Sequence, residues 1–371
     1  MDEERLALLA LRFTPGIGDT LFKALIGRIG TAGEVFALPV GHLMKVQGVG
    51  EASARAIKSK STFRDAEQEL RRAAQTNTSI VFYHDNGYPH RLRHASDHPA
   101  ALYIQGSLRP GVDRMLAVVG TRKCTPYGKS ALEKILLEIR PFNPVIVSGL
   151  AYGIDIHAHR LALELGLRTV AVLGSGLDHI YPLNHSEIAR RLSTAGALIS
   201  EQRFSAKPEA HFFPARNRII AGLTEGVLVA EAAEKGGALI TADLAVSYER
   251  EVFAIPGNIL SARSIGCNNL IKDHKAQLVT TGQEIALALN WVSHNGILKT
   301  EGKQLERLNS RSLSPEEEQL MRFMDLDRVF SIDGLSELTQ WSRGTLTSTL
   351  LDLELAGRIT TLPGNRYRLR K

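Results

Sequence analysis

Between residues 78 and 289 short apolar runs alternate with amphipathic stretches, a rhythm of strand and crossover helix that predicts a mostly parallel sheet with helices on both faces. The runs at 115–120, 145–148, 169–173, 226–230 and 252–255 are apolar nearly throughout, as strands covered on both faces should be. Glycine follows nearly every one. Helical stretches at 128–139, 154–165, 187–192 and 238–250 supply connections suited to right-handed crossovers. The fold class expected is α/β, a Rossmann-like, doubly wound, mostly parallel sheet spanning residues 76–290.

The flanks have other patterns. From Leu6 to about Arg72 the apolar positions follow helical spacing, interrupted at Pro15-Gly16-Ile17-Gly18 and Gly48-Val49-Gly50, so residues 1–75 are expected to form a small all-α unit. Both turns place glycine before a new helix, as helix-hairpin-helix motifs do when they offer backbone N–H groups to a phosphate. Simple helix packing is the favoured explanation of both. Eleven basic and nine acidic side chains make no electropositive patch there. Residues 291–311 lose apolar periodicity and gain Lys, Asn, Ser and Gly, which reads as a linker.

Residues 312–371 read as a winged helix. Ser314-Pro315-Glu316-Glu317 is a helix start with an N-cap, a first-turn proline and favourable charge. Helices near 332–338 and 343–355, then Gly357 and a hairpin over 359–369 around Pro363-Gly364-Asn365, complete the pattern. Eight basic against nine acidic side chains place protein contact or regulation ahead of DNA for this domain. Arg358, Arg366, Arg368, Arg370 and Lys371 keep a basic wing open.

Composition changes the picture little. The 371-residue chain is 44% hydrophobic and 23% charged, ordinary for a globular protein of two or three domains. Its 45 Lys and Arg against 39 Asp and Glu leave a net charge of +6, compatible with a polyanionic partner. The acidic start Met1-Asp2-Glu3-Glu4 is unlike a signal peptide, and no apolar run approaches the ~20 residues of a membrane span. A cytoplasmic protein with no membrane partner is expected. Cys124 and Cys267 stand far apart, indicating packing residues, not a disulfide framework or zinc site.

Candidate chemistry lies where the strands end, because ligands in open α/β sheets bind beyond the strand carboxyl ends. Gly120-Thr121-Arg122 offers a tight turn, a hydroxyl and a guanidinium suited to phosphate oxygens. Ser148-Gly149-Leu150-Ala151-Tyr152-Gly153-Ile154-Asp155 holds two glycines at a helix start, so that an anion can approach backbone N–H groups. Glycines at strand-to-helix turns also serve backbone geometry alone, and Asp155 alone would be a first-turn charge. Gly174-Ser175-Gly176-Leu177-Asp178 invites a dinucleotide reading, but His179 stands where the third glycine belongs, so NAD is disfavoured. Phe212, Phe213, Arg216, Asn217 and Arg218 open a helix with aromatics beside cations and an amide, the combination that grips single strands without reading sequence. Core burial is the competing role for at least one phenylalanine, and an internal ion pair for one arginine. Glu231, Gly236, Gly237, Thr241 and Asp243 open another helix, and Pro256-Gly257-Asn258 and Gly266-Cys267-Asn268-Asn269 add turns. No nucleophile elbow, His–carboxylate pair or metal-ligand cluster is recognisable; no catalytic residue, metal or cofactor is expected. His157 and His159 read as surface or packing residues.

These motifs together are specific. GTR at 120–122, SGLAYGID at 148–155, LGSGLDHIYP at 173–182, FPARNRIIAGL at 213–223, EA…GGALITA at 231–242 and IPGN…GCNNLI at 255–271 occur in the order typical of DNA-processing protein A (DprA/Smf) proteins. The chain resembles that family over roughly residues 78–280. The resemblance implies a Rossmann-like domain that binds single-stranded DNA, dimerises, and helps load RecA recombinase onto incoming DNA during natural transformation, including DNA already coated by a single-stranded DNA-binding protein. It makes Arg122 a phosphate contact, and places Lys207 and Phe212 or Phe213 where the family has a basic residue and a base-stacking aromatic. Thr121 stands where Ser is common, and Gly237 where Ser is expected, which removes a hydroxyl. The DNA-binding set expected is thus Gly120, Thr121, Arg122, Ser148, Gly149, Gly153, Lys207, Phe212, Phe213, Arg216, Asn217 and Arg218.

The competing enzyme reading is a nucleotide-processing hydrolase akin to the lysine-decarboxylase-like (LOG) proteins. Their PGGxGTxxE signature is missing from Glu234-Lys235-Gly236-Gly237-Ala238-Leu239-Ile240-Thr241, which lacks the proline, the close Gly-Thr and the following Glu.

Overall fold

The computed structural model describes residues 2–108, 114–291, 314–324, 329–355, 358–362 and 366–369. Two compact units emerge, 1–291 and 292–371. The first begins with six helices, α1 (Glu3–Phe13), α2 (Asp19–Ile29), α3 (Ala32–Ala37), α4 (Val40–Leu43), α5 (Glu51–Ser59) and α6 (Phe63–Gln75). There follow β1 (Thr78–Phe82), α7 (His90–Arg93), β2 (Ala101–Gly106), β3 (Met115–Gly120), α8 (Pro126–Ile139), β4 (Val145–Ser148), α9 (Ile154–Glu164) and β5 (Thr169–Leu173). The unit continues through α10 (Ser186–Ala195), β6 (Ala197–Ser200), α11 (Phe212–Leu223), β7 (Gly226–Glu231), α12 (Gly237–Ser247), β8 (Glu251–Ala254), α13 (Ile265–Lys272), β9 (Gln277–Leu278) and α14 (Gly282–Ala288).

The nine strands form one sheet in the order β1-β2-β6-β5-β4-β3-β7-β8-β9. Only β2 runs against its neighbours; every other pairing is parallel. The chain lays β4, β5 and β6 to one side of β3, then returns to place β7 on its other side. That reversal opens a crevice between the carboxyl ends of β3 and β7, where doubly wound sheets take their ligands. The central strands are buried along their length, which explains their continuous apolar runs. The outer strand β1 alternates, with Thr78, Ile80 and Phe82 inward.

Helices α1–α6 form no separate core. Leu9, Phe22, Phe36 and Ile57 belong to the same buried cluster as Phe82, Tyr103, Leu173 and Phe204. Ion pairs add to this, Arg5 with Asp85 at 3.1 Å and Arg218 with Asp19 at 3.3 Å. The expected division near residue 75 is therefore a change of pattern without a packing boundary. The two glycine turns are structural: Gly16 and Gly48 have φ of +80° and +89°, which side-chain-bearing residues rarely adopt. The helices beyond them begin with Asp19 and Glu51. An acidic side chain already occupies each positive dipole end, which argues against phosphate there.

The second unit packs α15 (Pro315–Phe323), α16 (Ile332–Thr339) and α17 (Arg343–Leu355) with a three-stranded sheet. Its strands are β10 (Phe330–Ser331), β11 (Ile359–Leu362) and β12 (Arg366–Leu369), in the order β10-β12-β11. Leu320, Leu335, Leu346, Leu350, Leu353 and Ile359 fill its core. Ser314 caps α15 in a reciprocal box with Glu317. The 291–311 linker beyond Trp291, Gly357, the 363–365 turn, Arg370 and Lys371 lie outside the described residues. No helix among the described residues is long and apolar enough to cross a membrane.

Candidate functional site

A cavity of about 680 Å³ lies at the carboxyl ends of β3 and β7. Its first wall starts at Gly120, where a Cβ would lie 2.5 Å from Ile154 and 2.9 Å from the Glu231 carbonyl oxygen. Only glycine fits. The next residue is pinned through its backbone, the Thr121 N–H donating to the Glu231 carbonyl at 2.7 Å and the Thr121 carbonyl accepting from Ile154 N–H at 3.2 Å. Arg122 then projects as an exposed side chain with its guanidinium 6.0 Å from the Phe213 ring centre. Tyr181 stands 5.5 Å from Phe213 and is 47% exposed. Aromatic faces and a cation thus share one opening.

Lys235, Gly236 and Gly237 supply another part of the wall, where α12 begins. A Cβ on Gly236 would meet nothing within 4 Å, so packing does not require glycine there. Among the described residues no side chain caps this eleven-residue helix, so its start is a favourable place for an anion.

Buried charge underlies the cavity. Arg216 is 4% exposed and donates to the Val172 carbonyl; burial pushes its pKa down to about 10, against the opposing pull of Asp155. Asp155 accepts the Gly149 N–H at 3.2 Å. Burial raises the Asp155 pKa, and Arg216 draws it back. Nearby, Thr169 donates to the Ile146 carbonyl at 2.8 Å. The Thr169 oxygen thus receives the proton of His159 Nδ1 at 2.7 Å, leaving His159 Nε2 buried without a hydrogen-bond partner.

Several expected residues lie elsewhere than the sequence suggested. Ser148 is fully buried and donates to the Val118 carbonyl at 2.6 Å. Gly149 makes room for Arg216, whose Nη1 would lie 2.3 Å from a Cβ. Gly153, at φ +81°, receives the neighbouring loop, with the Thr121 oxygen 2.1 Å from its would-be Cβ. These three residues shape the loops and present no exposed anion cradle. Arg218 is internal too, bound to Asp19, Glu201 and the Asp97 carbonyl. Both arginines, not one, are therefore committed inside the protein. Asn217 donates to the Gly237 carbonyl at 3.2 Å, fixing the start of α12. Phe213 lines the first cavity, whereas Lys207 and Phe212 line a second one of about 790 Å³. Tyr181 and Lys235 line the first cavity and were missed; an aromatic and a cation in strand-end loops were the available signals.

The glycines of the LGSG segment answer to packing. A Cβ on Gly174 would lie 3.2 Å from Phe213, and one on Gly176 would lie 2.6 Å from the Arg203 carbonyl. Glu231 is spent on the start of α8, accepting Thr125 N–H at 2.8 Å and its hydroxyl at 2.7 Å. Asn268 clasps Gly257 through two 3.1 Å hydrogen bonds, so the two last motifs form one structural turn. Among the described residues no group of three or more His, Cys, Asp or Glu is placed to hold a metal ion. Cys267 is buried, and Cys124 is partly exposed.

Residues 79–290 match the family model described as DNA recombination-mediator protein A, and residues 306–365 match the DprA winged helix domain. Protein Smf of Escherichia coli is 36% identical over 308 residues, 80% of this chain and 79% of that protein. The X-ray structure of DNA processing protein A from Streptococcus pneumoniae superposes with a TM-score of 0.69 at 33% identity, covering 78% of this chain and 99% of that one. The Helicobacter pylori DNA processing protein A, in a structure concerned with its single-stranded DNA binding mode, gives a TM-score of 0.52 at 28% identity, covering 60% of this chain and 99% of that one. The chain belongs to the DprA/Smf family of DNA recombination-mediator proteins.

Proposed function

We propose that this protein holds single-stranded DNA in the cavity at the ends of β3 and β7, breaks no bond in it, and passes it to RecA recombinase. The observation that carries the reading is Arg122 beside the Phe213 ring, which Tyr181 also approaches, in one cavity with the open start of α12. Rings accept any base by stacking, while the guanidinium, Lys235 and helix N–H groups suit phosphate oxygens. Such a site tolerates every sequence. It also disfavours duplex DNA, whose bases are stacked on each other and unavailable to the rings. The Helicobacter relative, described for its single-stranded DNA binding mode, supports the ligand class. Self-association, RecA delivery on strands covered by a single-stranded DNA-binding protein, a role in natural transformation and a cytoplasmic location complete the proposal.

A binding titration with single-stranded and duplex DNA of mixed sequence tests it. Preference for the single strand is expected, with a salt slope of about 0.7 per neutralised phosphate. Equal affinity for the two forms would remove the reading. The hydrolase alternative has less support, because Asp155 and Glu231 are both buried and hydrogen-bonded within the protein. Release of free base from nucleoside monophosphates would revive it.

A further inference from the structure

The second cavity lies between α1 and α6 on one side and the 201–212 segment on the other. Residues 207–213 form a wall shared by both cavities: Lys207, Glu209 and Phe212 line the second, Pro208, Ala210 and Phe213 the first. A strand leaving the Phe213 ring therefore needs to cross only this wall to reach the Phe212 ring.

The chemistry beyond the wall matches that of the first cavity. Phe13, contributed by α1, and Phe212 are half-buried aromatics. Arg203 lies 5.6 Å from the centre of the Phe13 ring and, like Lys207, is exposed with no ion pair among the described residues. Two of the acidic groups present are already engaged. Glu69 accepts the Phe204 N–H at 2.7 Å, and Glu201 is bound by Arg218. Two exposed cations in a cavity that also holds two half-buried rings are what a flexible polyanion carrying flat bases requires.

We infer that the N-terminal helices are part of the DNA site: the second cavity holds the nucleotides that follow those in the first, with Phe13 and Phe212 against bases and Arg203 and Lys207 on phosphates. This rests on the single-strand reading above and extends it to residues 1–75, which lie outside the matched family region of 79–290.

The test is a titration of the full-length protein and its Arg203→Ala and Arg122→Ala variants with oligothymidylates from roughly 4 to 20 nucleotides, a range set by common single-strand site sizes. Arg203→Ala should bind the shortest strands like wild type, yet lose about tenfold affinity for long ones, with the salt slope reduced by about 0.7. Arg122→Ala should weaken binding at every length. A second measurement uses strands carrying 5-iododeoxyuridine, whose photo-crosslinks should fall on the peptide containing Phe13. Wild-type affinity of Arg203→Ala at all lengths, with no crosslink on the Phe13 peptide, overturns the second cavity and leaves the first intact. Failure of the wild type to bind any length overturns both.

Discussion

At Arg122 the fixed interactions belong to the backbone around it. Thr121 is held by Glu231 and Ile154, and Gly153 presses against the same turn; the side chain itself is exposed and lies over the Phe213 ring. Removing that side chain should therefore leave the fold alone. Arg122→Ala is expected to cost roughly 1–3 kcal/mol of single-strand affinity, the scale of a lost charge-assisted contact, with an unchanged denaturant midpoint. Lysine should rescue only partly, since it lacks the planar fork. Unaltered affinity in folded Arg122→Ala would make the residue structural. His159 shows the opposite case, a group whose consequence is stability. Burial lowers its pKa from 6.5 to about 3, with Arg216 and His185 adding repulsion, and its bare Nε2 has nowhere to place a proton. A folded pKa below the unfolded one means that the unfolded chain binds the extra proton. Stability is thus complete above pH 6.5 and falls as pH drops towards 3. By pH 5.5 the loss from this residue should be roughly 1.4 kcal/mol. Urea midpoints at pH 7.5 and 5.5 should differ accordingly in wild type and less in His159→Gln; equal differences would refute the assignment.

Among the elements, the start of α12 separates stability from binding. Gly236 is its N-cap in extended backbone, φ 167°, with open space where a side chain would stand. Aspartate there would cap the helix and complement its dipole, raising stability by a few tenths of a kcal/mol. The same carboxylate would repel a phosphate. Gly236→Asp is thus expected to be as stable as wild type or slightly more so in thermal melts, while its single-strand affinity falls at least tenfold; intact binding would remove α12 from the site. Legibility also divides by element. Strands β3, β4 and β5 were readable to the residue because burial on both faces leaves an unbroken apolar run. Strands β1, β2 and β6 were not anticipated: β1 alternates, β2 runs antiparallel, and β6 has four residues directly after α10. In the site, glycine positions were legible but their purpose was not, since Gly149 answers to Arg216 and Gly153 to Thr121 across the fold. Arg216 and Arg218 look alike in sequence. What each does depends on distant residues, Asp19 being 199 positions from Arg218, and no local pattern encodes that.

For the whole molecule, the two compact units allow function to be divided by deletion. Every residue assigned to DNA lies in the unit ending at Trp291, and residues 312–371 carry eight basic against nine acidic side chains. Deleting 312–371 should leave single-strand affinity within about twofold of wild type, the fold of residues 1–291 being unchanged. Loss of binding by a folded deletion protein would make the winged helix a primary DNA site. The proposed transfer of DNA to a recombinase would require grip that is strong overall yet locally reversible. The cavities of one protomer, with a few rings and cations, give only modest affinity. In the proposed symmetric dimer, once one protomer's site is occupied the other's meets the same strand at high effective concentration. Each protomer could then release its segment while the other holds, exposing short lengths of strand to RecA without losing the DNA. Light scattering should therefore show self-association at micromolar concentration. RecA from the same organism should assemble faster on strands precoated with single-stranded DNA-binding protein when this protein is added, with Arg122→Ala giving no acceleration. A monomer at all concentrations that never stimulates RecA would leave a single-strand binder alone.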